Sequence, residues 1–210
     1  MLEKLPDAIG EALGDIRAGL ANTMFNDVGL RQGMGMIVLS SLAFADHAPM
    51  PDKYTADGSG LSPPLHWSGV PASATEVVLI VEDADSPTPQ PLVHAIAHSL
   101  PTGDEDDGAL AEGTLSAVNE AQPLVPMGRN SLLQARWLAP DPPPGHGVHR
   151  YVFQVFALGP GVSLPDTPGR DALRTALLER GLASGCLIGT YERPSGDIAD
   201  PLPTLLRARA

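Results

Sequence analysis

The sequence is poor in aromatic residues, cysteine and positive charge. Aromatic residues make up 4% of the 210 residues, so a folded core has to be built mainly from Val, Leu, Ile and Ala. Cys186 is the only cysteine, which excludes an intrachain disulfide, and the fold therefore needs no oxidising compartment. With 13 basic and 25 acidic residues, the formal net charge is −12. This charge disfavours nucleic acid and anionic membrane surfaces as partners.

Long apolar runs are also missing from the sequence. No stretch approaches the length of a transmembrane helix. The N-terminus carries acidic residues among its apolar ones, and it lacks the apolar run and cleavage site of a secretory signal. We therefore expect a cytoplasmic protein.

Glycine and proline, by contrast, are abundant, with 22 residues of each. Without a repeat period, this composition indicates many turns around short strands rather than a helical bundle. Apolar or alternating runs of strand length occur at residues 36–44, 76–83, 93–100, 150–158 and 186–193. Several short strands separated by turn-rich segments predict an all-β sandwich.

Two helices are predicted beside the strands. Residues 2–24 carry apolar side chains every three or four positions, and residues 165–183 place Leu173, Leu177 and Leu178 on one face before Gly181. The apolar stripe of the first helix would pack on the domain or on a second subunit, the latter giving a homodimer. Its acid-rich polar face disfavours a membrane-surface helix. We therefore divide the chain into a helical extension (1–35), a main domain (36–197) and a tail (198–210).

One group of polar residues lies where the strand VVLIVE ends. Asp83 and Asp85 are two residues apart, so both carboxylates would project from one face if the strand continued. His94 opens the next strand, where a carboxylate could orient its imidazole, as in many acid–base and metal sites. The group is open to three interpretations: a metal site, a hydrolase site or a binding pocket. No HxH, HxxxH or CxxC spacing supports a metal, and no GxSxG motif or well-placed nucleophile supports a hydrolase.

The stretch PDPPPGHGVHRYVF, residues 140–153, is a second such group. Its four prolines fix four φ angles and remove four N–H donors, while two glycines allow a tight turn afterwards. His149 and Tyr151 follow on one face of the next strand. The stretch is either a connector before an ordinary strand or the rigid wall of a preformed ligand pocket.

Taken together, these segments resemble the phosphatidylethanolamine-binding protein family, in its bacterial Raf-kinase-inhibitor-like branch. The resemblance covers roughly residues 36–193. It rests on DGSGLSPPLHW at 57–67, on Asp83, Asp85 and Pro87 followed by His94, on Gly128 and Asn130, on Pro140, Pro142, Pro143, Gly145, His149, Arg150 and Tyr151, and on LIGTYER at 187–193.

The resemblance implies an antiparallel β-sandwich with peripheral helices and a small pocket for phosphate-like groups. The implied ligand-binding positions are Asp83, Asp85, His94, Pro142, His149 and Tyr151. The histidines and the tyrosine would donate hydrogen bonds to the anion, while the aspartates would orient those donors. The resemblance also suggests a cis Ser86–Pro87 bond, although the sequence by itself favours trans.

The sequence departs from the family pattern around the pocket. Ala95 stands where an aromatic residue is usual after the histidine, and Leu132–Leu133 stand where Phe-Gly is usual. We assign the pocket rim to Pro87, Arg136, Trp137 and Ala139.

The sequence therefore predicts a protein that binds a small anion or a phospholipid-type head group, without enzymatic activity, metal or cofactor. One alternative is a protein-interaction module that inhibits a kinase or protease. A hydrolase that uses the Asp/His group ranks last.

Overall fold

The computed structural model describes residues 6–27, 34–102, 108–116 and 123–193. It contains two β-sheets. The strands are β1 (Gly35–Met36), β2 (Val38–Ser40), β3 (Ala48–Pro49), β4 (Leu65–Ser68), β5 (Glu76–Asp83), β6 (Leu92–Leu100), β7 (Gly108–Leu110), β8 (His149–Leu158) and β9 (Gly181–Tyr191). The larger sheet has the order β1-β9-β8-β5-β6 with β3 also beside β9, and the smaller sheet has the order β2-β4-β7.

The two sheets pack face to face around one core. Leu79 and Val81 of β5 and Phe153 of β8 belong to the same buried cluster as Leu65 and Trp67 of the smaller sheet. The predicted mostly-β sandwich is therefore confirmed. It is not wholly antiparallel, because the short strands β1 and β3 run parallel to β9.

Strand β5 is apolar on both faces because both faces are covered. Its outward residues Val78 and Ile80 pack with Leu173 and Leu177 of a helix. This burial explains why the run reads as continuously hydrophobic instead of alternating.

The N-terminal helix is present but shorter than the range 2–24. Helix α1 spans Asp7–Leu13, a 3₁₀ turn spans Leu20–Asn22, and α2 spans Met24–Asp27. The helix ends at Gly14, and Gly19 has a φ of 89°, which a continuing right-handed helix does not allow. Residues 2–5 lie outside the described ranges.

The described part of the extension packs on its own domain. The Met24 N–H donates to the buried carboxylate of Glu82 at 2.6 Å, and the Phe25 N–H donates to Gln154 Oε1 at 2.6 Å. Of the apolar stripe itself, Leu20 packs on the domain, whereas Ile9 and Ile16 are 41% and 51% exposed.

The second predicted helix is α3, which spans Arg170–Arg180 rather than 165–183. Leu173 and Leu177 are buried, but Leu178 is 56% exposed, so the prediction that the three leucines share one face was wrong for Leu178. The helix stops at Gly181 as predicted, and the chain then enters β9 directly. None of the described helices is long and apolar enough to cross a membrane.

Candidate anion-binding site

The candidate site is a cavity at one end of the larger sheet. Asp83 ends β5, Leu92 begins β6 and His149 begins β8, and antiparallel pairing brings these ends together. The cavity has a volume of about 280 Å³. It is lined by Asp83, Ser86, Pro87, Leu92, His94, Leu132, Leu138, Ala139, Asp141, Pro142, Pro143 and His149.

A β-bulge positions His94 in this wall. Val81 pairs with Ala95, whereas the next residue, Glu82, pairs with Val93, so His94 is the extra residue opposite β5. A bulge changes the direction of a side chain relative to the regular alternation of a strand. The His94 ring consequently packs against Tyr151, with 5.1 Å between ring centroids.

One ring nitrogen of His94 is bonded and the other is not. Nδ1 lies 2.6 Å from the carbonyl oxygen of Leu138, which can only accept, so Nδ1 carries the proton. Nε2 is buried and has no hydrogen-bond partner among the described residues. Burial lowers the pKa of His94, with the Asp83 carboxylate opposing that effect. The neutral ring thus leaves a buried Nε2 lone pair in a cavity-lining side chain.

Asp83 orients His149. Its Oδ2 accepts a hydrogen bond from His149 Nδ1 at 2.8 Å, and its Oδ1 accepts from the Asp85 N–H at 2.8 Å. The other nitrogen of His149, Nε2, lies 2.7 Å from Nδ1 of His146. Both nitrogens of His149 are therefore engaged by protein groups.

Asp85, by contrast, does not line the cavity. Strand β5 ends at Asp83, and the turn that follows directs the Asp85 carboxylate to Arg150, at 2.7 and 2.6 Å, and to Arg17, at 3.1 Å. Burial by itself raises the pKa of Asp85, but the hydrogen bonds from Arg150 and Arg17 outweigh it and lower the pKa. The two carboxylates would share one face only if the strand continued to Asp85, and β5 ends at Asp83.

The proline-rich stretch forms the opposite wall. Gly145 and Gly147 have φ values of 76° and 84°, which explains the glycines after the prolines. Arg193, at the end of the chain's described part, donates to the Pro142 carbonyl at 2.8 Å. The same guanidinium pairs with Asp57 of the DGSGLSPPLHW motif, at 2.8 Å, so this distant motif helps to hold the wall.

The remaining predicted positions divide into two groups. Pro87 and Ala139 line the cavity, whereas Tyr151, Arg136 and Trp137 do not. Trp137 is buried and stacks on Phe153 at 6.2 Å, and Arg136 is exposed and donates to Gln134 at 3.0 Å. The Tyr151 hydroxyl is buried without a partner in the described ranges, and burial raises its pKa well above the ordinary value.

The Ser86–Pro87 bond, in the same wall, is trans, as are all described peptide bonds. The cis form suggested by the resemblance is therefore not found. Within the described ranges, no cluster of three or more His, Cys, Asp or Glu side chains could hold a metal ion.

Sequence reasoning missed His146, although it lies three residues before His149 in the turn GHG. The spacing was visible, but its significance depends on a partner 133 positions away, the Leu13 carbonyl, which lies 2.9 Å from His146 Nε2. Asp141 was also missed as a lining residue. It forms an ion pair with Arg193 at 2.8 Å.

Comparison with known proteins identifies the family of this chain. A family model described as phosphatidylethanolamine-binding protein matches residues 40–192. The chain therefore belongs to the phosphatidylethanolamine-binding protein family.

The chain is also similar to individual proteins. A UPF0098 protein of Pyrococcus abyssi is 33% identical over 162 residues, which cover 77% of this chain and 88% of that protein. A provisionally named lipoprotein of Mycobacterium tuberculosis, LppC, is 34% identical over 158 residues, which cover 74% of this chain and 72% of that protein.

Solved structures share the fold. The phosphatidylethanolamine-binding protein homologue CT736 of Chlamydia trachomatis matches with a TM-score of 0.65 and 33% identity, over 75% of this chain and 98% of that chain. E. coli YbcL matches with a TM-score of 0.66 and 22% identity, over 76% and 99% of the two chains, and this likeness concerns the fold alone.

Proposed function

We propose that this protein binds a small anion or a phosphorylated head group of phospholipid type in the cavity, and that it catalyses no reaction there. The observation that carries the proposal is the buried, unpartnered Nε2 of His94 in a cavity of about 280 Å³. Once protonated, this nitrogen donates to an anion oxygen. Membership of a family described by its phosphatidylethanolamine binding supports the same ligand class.

The charges around the cavity are compatible with an anion. The two lining carboxylates are not bare, because His149 bonds to Asp83 at 2.8 Å and Arg193 pairs with Asp141 at 2.8 Å. A bound anion would therefore meet two paired carboxylates. Repulsion between the anion and an unpaired carboxylate in contact with it would cost on the order of a few kcal/mol.

The geometry favours binding over hydrolysis. Among the described residues that line the cavity, Ser86 supplies the one hydroxyl, which is 3.1 Å from the Asp83 carbonyl oxygen and 2.8 Å from the Thr88 hydroxyl. No described histidine is hydrogen-bonded to Ser86 as a general base, which nucleophilic catalysis by this hydroxyl would need.

Calorimetric titration with inorganic phosphate and with phosphorylethanolamine tests the proposal. We expect His149→Ala to weaken both ligands, because the substitution leaves the Asp83 carboxylate without its imidazole partner. His66→Ala is the matched control, since His66 is exposed on β4. Equal affinity of the His149→Ala and wild-type proteins would remove His149 from the site.

A protein-interaction module is the second candidate, and one feature favours it. Leu132 and Leu133 are 57% and 77% exposed beside the cavity, and the exposed Arg136 follows them on the same loop. Such a patch would suit a partner that covers the cavity mouth. A pull-down that compares wild type with Leu132→Ser and Arg136→Ala tests it, because an interaction through this patch requires both variants to lose the partner.

Cytoplasmic residence and homodimerisation remain predictions from the sequence. Fractionation of cells and light scattering of the purified protein test them directly.

A further inference from the structure

The N-terminal extension packs closely on the proline-rich wall of the cavity. Gly10 of α1 is buried, and a Cβ at this position would collide with the Pro144 carbonyl oxygen. Arg17 then donates to the carbonyl oxygens of His146 and Val148, each at 2.8 Å. We name residues 7–17 the N-terminal clamp.

A chain of three hydrogen bonds connects this clamp to the cavity. Asp83 Oδ2 lies 2.8 Å from His149 Nδ1, and His149 Nε2 lies 2.7 Å from His146 Nδ1. His146 Nε2 in turn lies 2.9 Å from the carbonyl oxygen of Leu13. The two ends of this chain of hydrogen bonds are oxygen atoms, Asp83 Oδ2 and the Leu13 carbonyl oxygen.

The number of protons in this chain follows from its two ends. The Leu13 carbonyl can only accept, so His146 Nε2 must carry a proton. If His146 is neutral, its Nδ1 is an acceptor, and His149 Nε2 must donate to it. Three hydrogen bonds need three protons, whereas two neutral imidazoles supply two. With Asp83 as a carboxylate that accepts from both the Asp85 N–H and His149, the third proton makes His149 an imidazolium.

We propose that the N-terminal clamp completes the anion site, with the Leu13 carbonyl and His146 acting as positioning groups that keep His149 in the charged form. Without the Leu13 carbonyl as an acceptor, only two hydrogen bonds remain, and two protons are enough to form them. The group of Asp83, His149 and His146 then carries one net negative charge. With that carbonyl the group is neutral. The clamp thus removes one negative charge from the cavity wall.

Other titratable or charged groups lie around these two histidines. Burial and the neighbouring His149 lower the pKa of His146, which keeps His146 as the neutral member of the pair. The titratable or charged side chains near the two rings are Asp83, His94, Asp141, Tyr151, Arg17 and Glu11.

This inference rests on the proposed function, and it implies linkage between the clamp and the ligand. An anion binds better when the clamp is docked, so by reciprocity an anion also holds the clamp in place. Removal of one negative charge from the wall beside a bound anion should raise the affinity for that anion on the order of tenfold or more.

Gly10→Ala tests the coupling, with Gly14→Ala as the control. A Cβ at Gly14 meets no atom of the proline-rich wall; its nearest neighbour is the Glu11 carbonyl oxygen, at 3.2 Å, in the same helix. We expect Gly10→Ala to speed amide exchange in residues 7–17 and to weaken inorganic phosphate binding on the order of tenfold. Gly14→Ala should do neither. Faster exchange with unchanged phosphate affinity would overturn the inference.

A second pair of variants addresses His146 itself. In His146→Gln, the amide oxygen can accept from His149 and the amide nitrogen can donate to Leu13, so the charge on His149 and the phosphate affinity should persist. His146→Leu removes both bonds and should lose both properties. Equal affinity of the two variants would contradict the role of His146.

The ring nitrogens report on the proton count without any ligand. Nitrogen-15 spectra of the wild-type histidines at neutral pH should show protons on both nitrogens of His149 and on Nε2 of His146. A neutral His149 in a protein whose clamp is protected from exchange would refute the inference. If the wild type binds no phosphate, the proposed function fails, and these spectra still decide whether the three-proton chain exists.

Discussion

The binding of an anion should be coupled to protonation of His94. His94 is 3% exposed, its Nδ1 donates to the Leu138 carbonyl at 2.6 Å, and its Nε2 is unpartnered. Burial lowers the pKa of this ring in the free protein, so it is neutral near pH 7. An anion beside Nε2 stabilises the imidazolium and raises the pKa in the complex. Binding therefore takes up a proton, and affinity must increase as the pH falls from the bound pKa towards the free pKa.

Sulfate is a suitable probe, because it does not titrate near neutral pH whereas phosphate does. Uptake of one proton by the protein would raise sulfate affinity by at most about tenfold for each pH unit. Calorimetric titrations between about pH 8 and pH 5.5 measure this slope, and buffers of different ionisation enthalpy count the protons taken up. At the alkaline limit of this pH range, hydrogen phosphate should bind better than sulfate. Its own O–H group can donate a hydrogen bond to the Nε2 lone pair of neutral His94, and sulfate has no such group.

His94→Gln separates this ring from His146 and His149, and His66→Gln controls for an exposed histidine. We expect the first variant to lose most of the slope and the second to retain it. The reasoning is refuted if sulfate binds the wild type without proton uptake, or if uptake persists unchanged in His94→Gln.

Two further predictions concern residues beside the cavity. Leu133 has a φ of 60° and is largely exposed, so Leu133→Gly should raise the free energy of unfolding by up to about 1 kcal/mol in denaturant titrations. Leu132→Gly is the matched control and should not stabilise. Tyr151→Phe removes a buried hydroxyl that has no partner among the described residues, so unfolding free energy should stay equal or rise by up to about 1 kcal/mol. Calorimetry should find its phosphate affinity unchanged, since Tyr151 does not line the cavity, and a clear loss would assign the hydroxyl to ligand binding.

The long central strands were predictable because their signals are local, whereas the predicted strand at 36–44 is split into β1 and β2, and the short β3, β4 and β7 were not predicted. Residues 76–83 and 93–100 are apolar runs bounded by turn residues, and the observed strands Glu76–Asp83 and Leu92–Leu100 agree to within one residue. The end of the N-terminal helix was less accessible. Its apolar spacing continues through Ile16 and Leu20, and the backbone at Gly14 and Gly19 decides where the helix stops.

The site was only partly predictable, because its geometry depends on pairing between distant residues. The bulge at His94 arises from the register between β5 and β6, which strand composition does not encode. The departure of Asp85 depends on Arg150 and Arg17, which lie 65 positions after it and 68 positions before it. A pattern of residue types can place polar groups at strand ends, but the partner of each group is set by tertiary structure.

The proline-rich wall illustrates this division between sequence and structure. Its prolines make it stiff, but stiffness alone does not place it beside β5 and β6. Arg193 holds the Pro142 carbonyl from one side, at 2.8 Å, and Arg17 holds the His146 carbonyl from the other, also at 2.8 Å. Both arginines come from segments that are remote in sequence from this wall, one near each end of the described chain. The position of the wall, and with it the width of the cavity, therefore depends on these two segments. A rigid loop held at two points transmits a displacement of either anchor to the cavity. A change in the extension that displaces Arg17 should therefore alter ligand affinity, although none of the described residues of the extension lines the cavity.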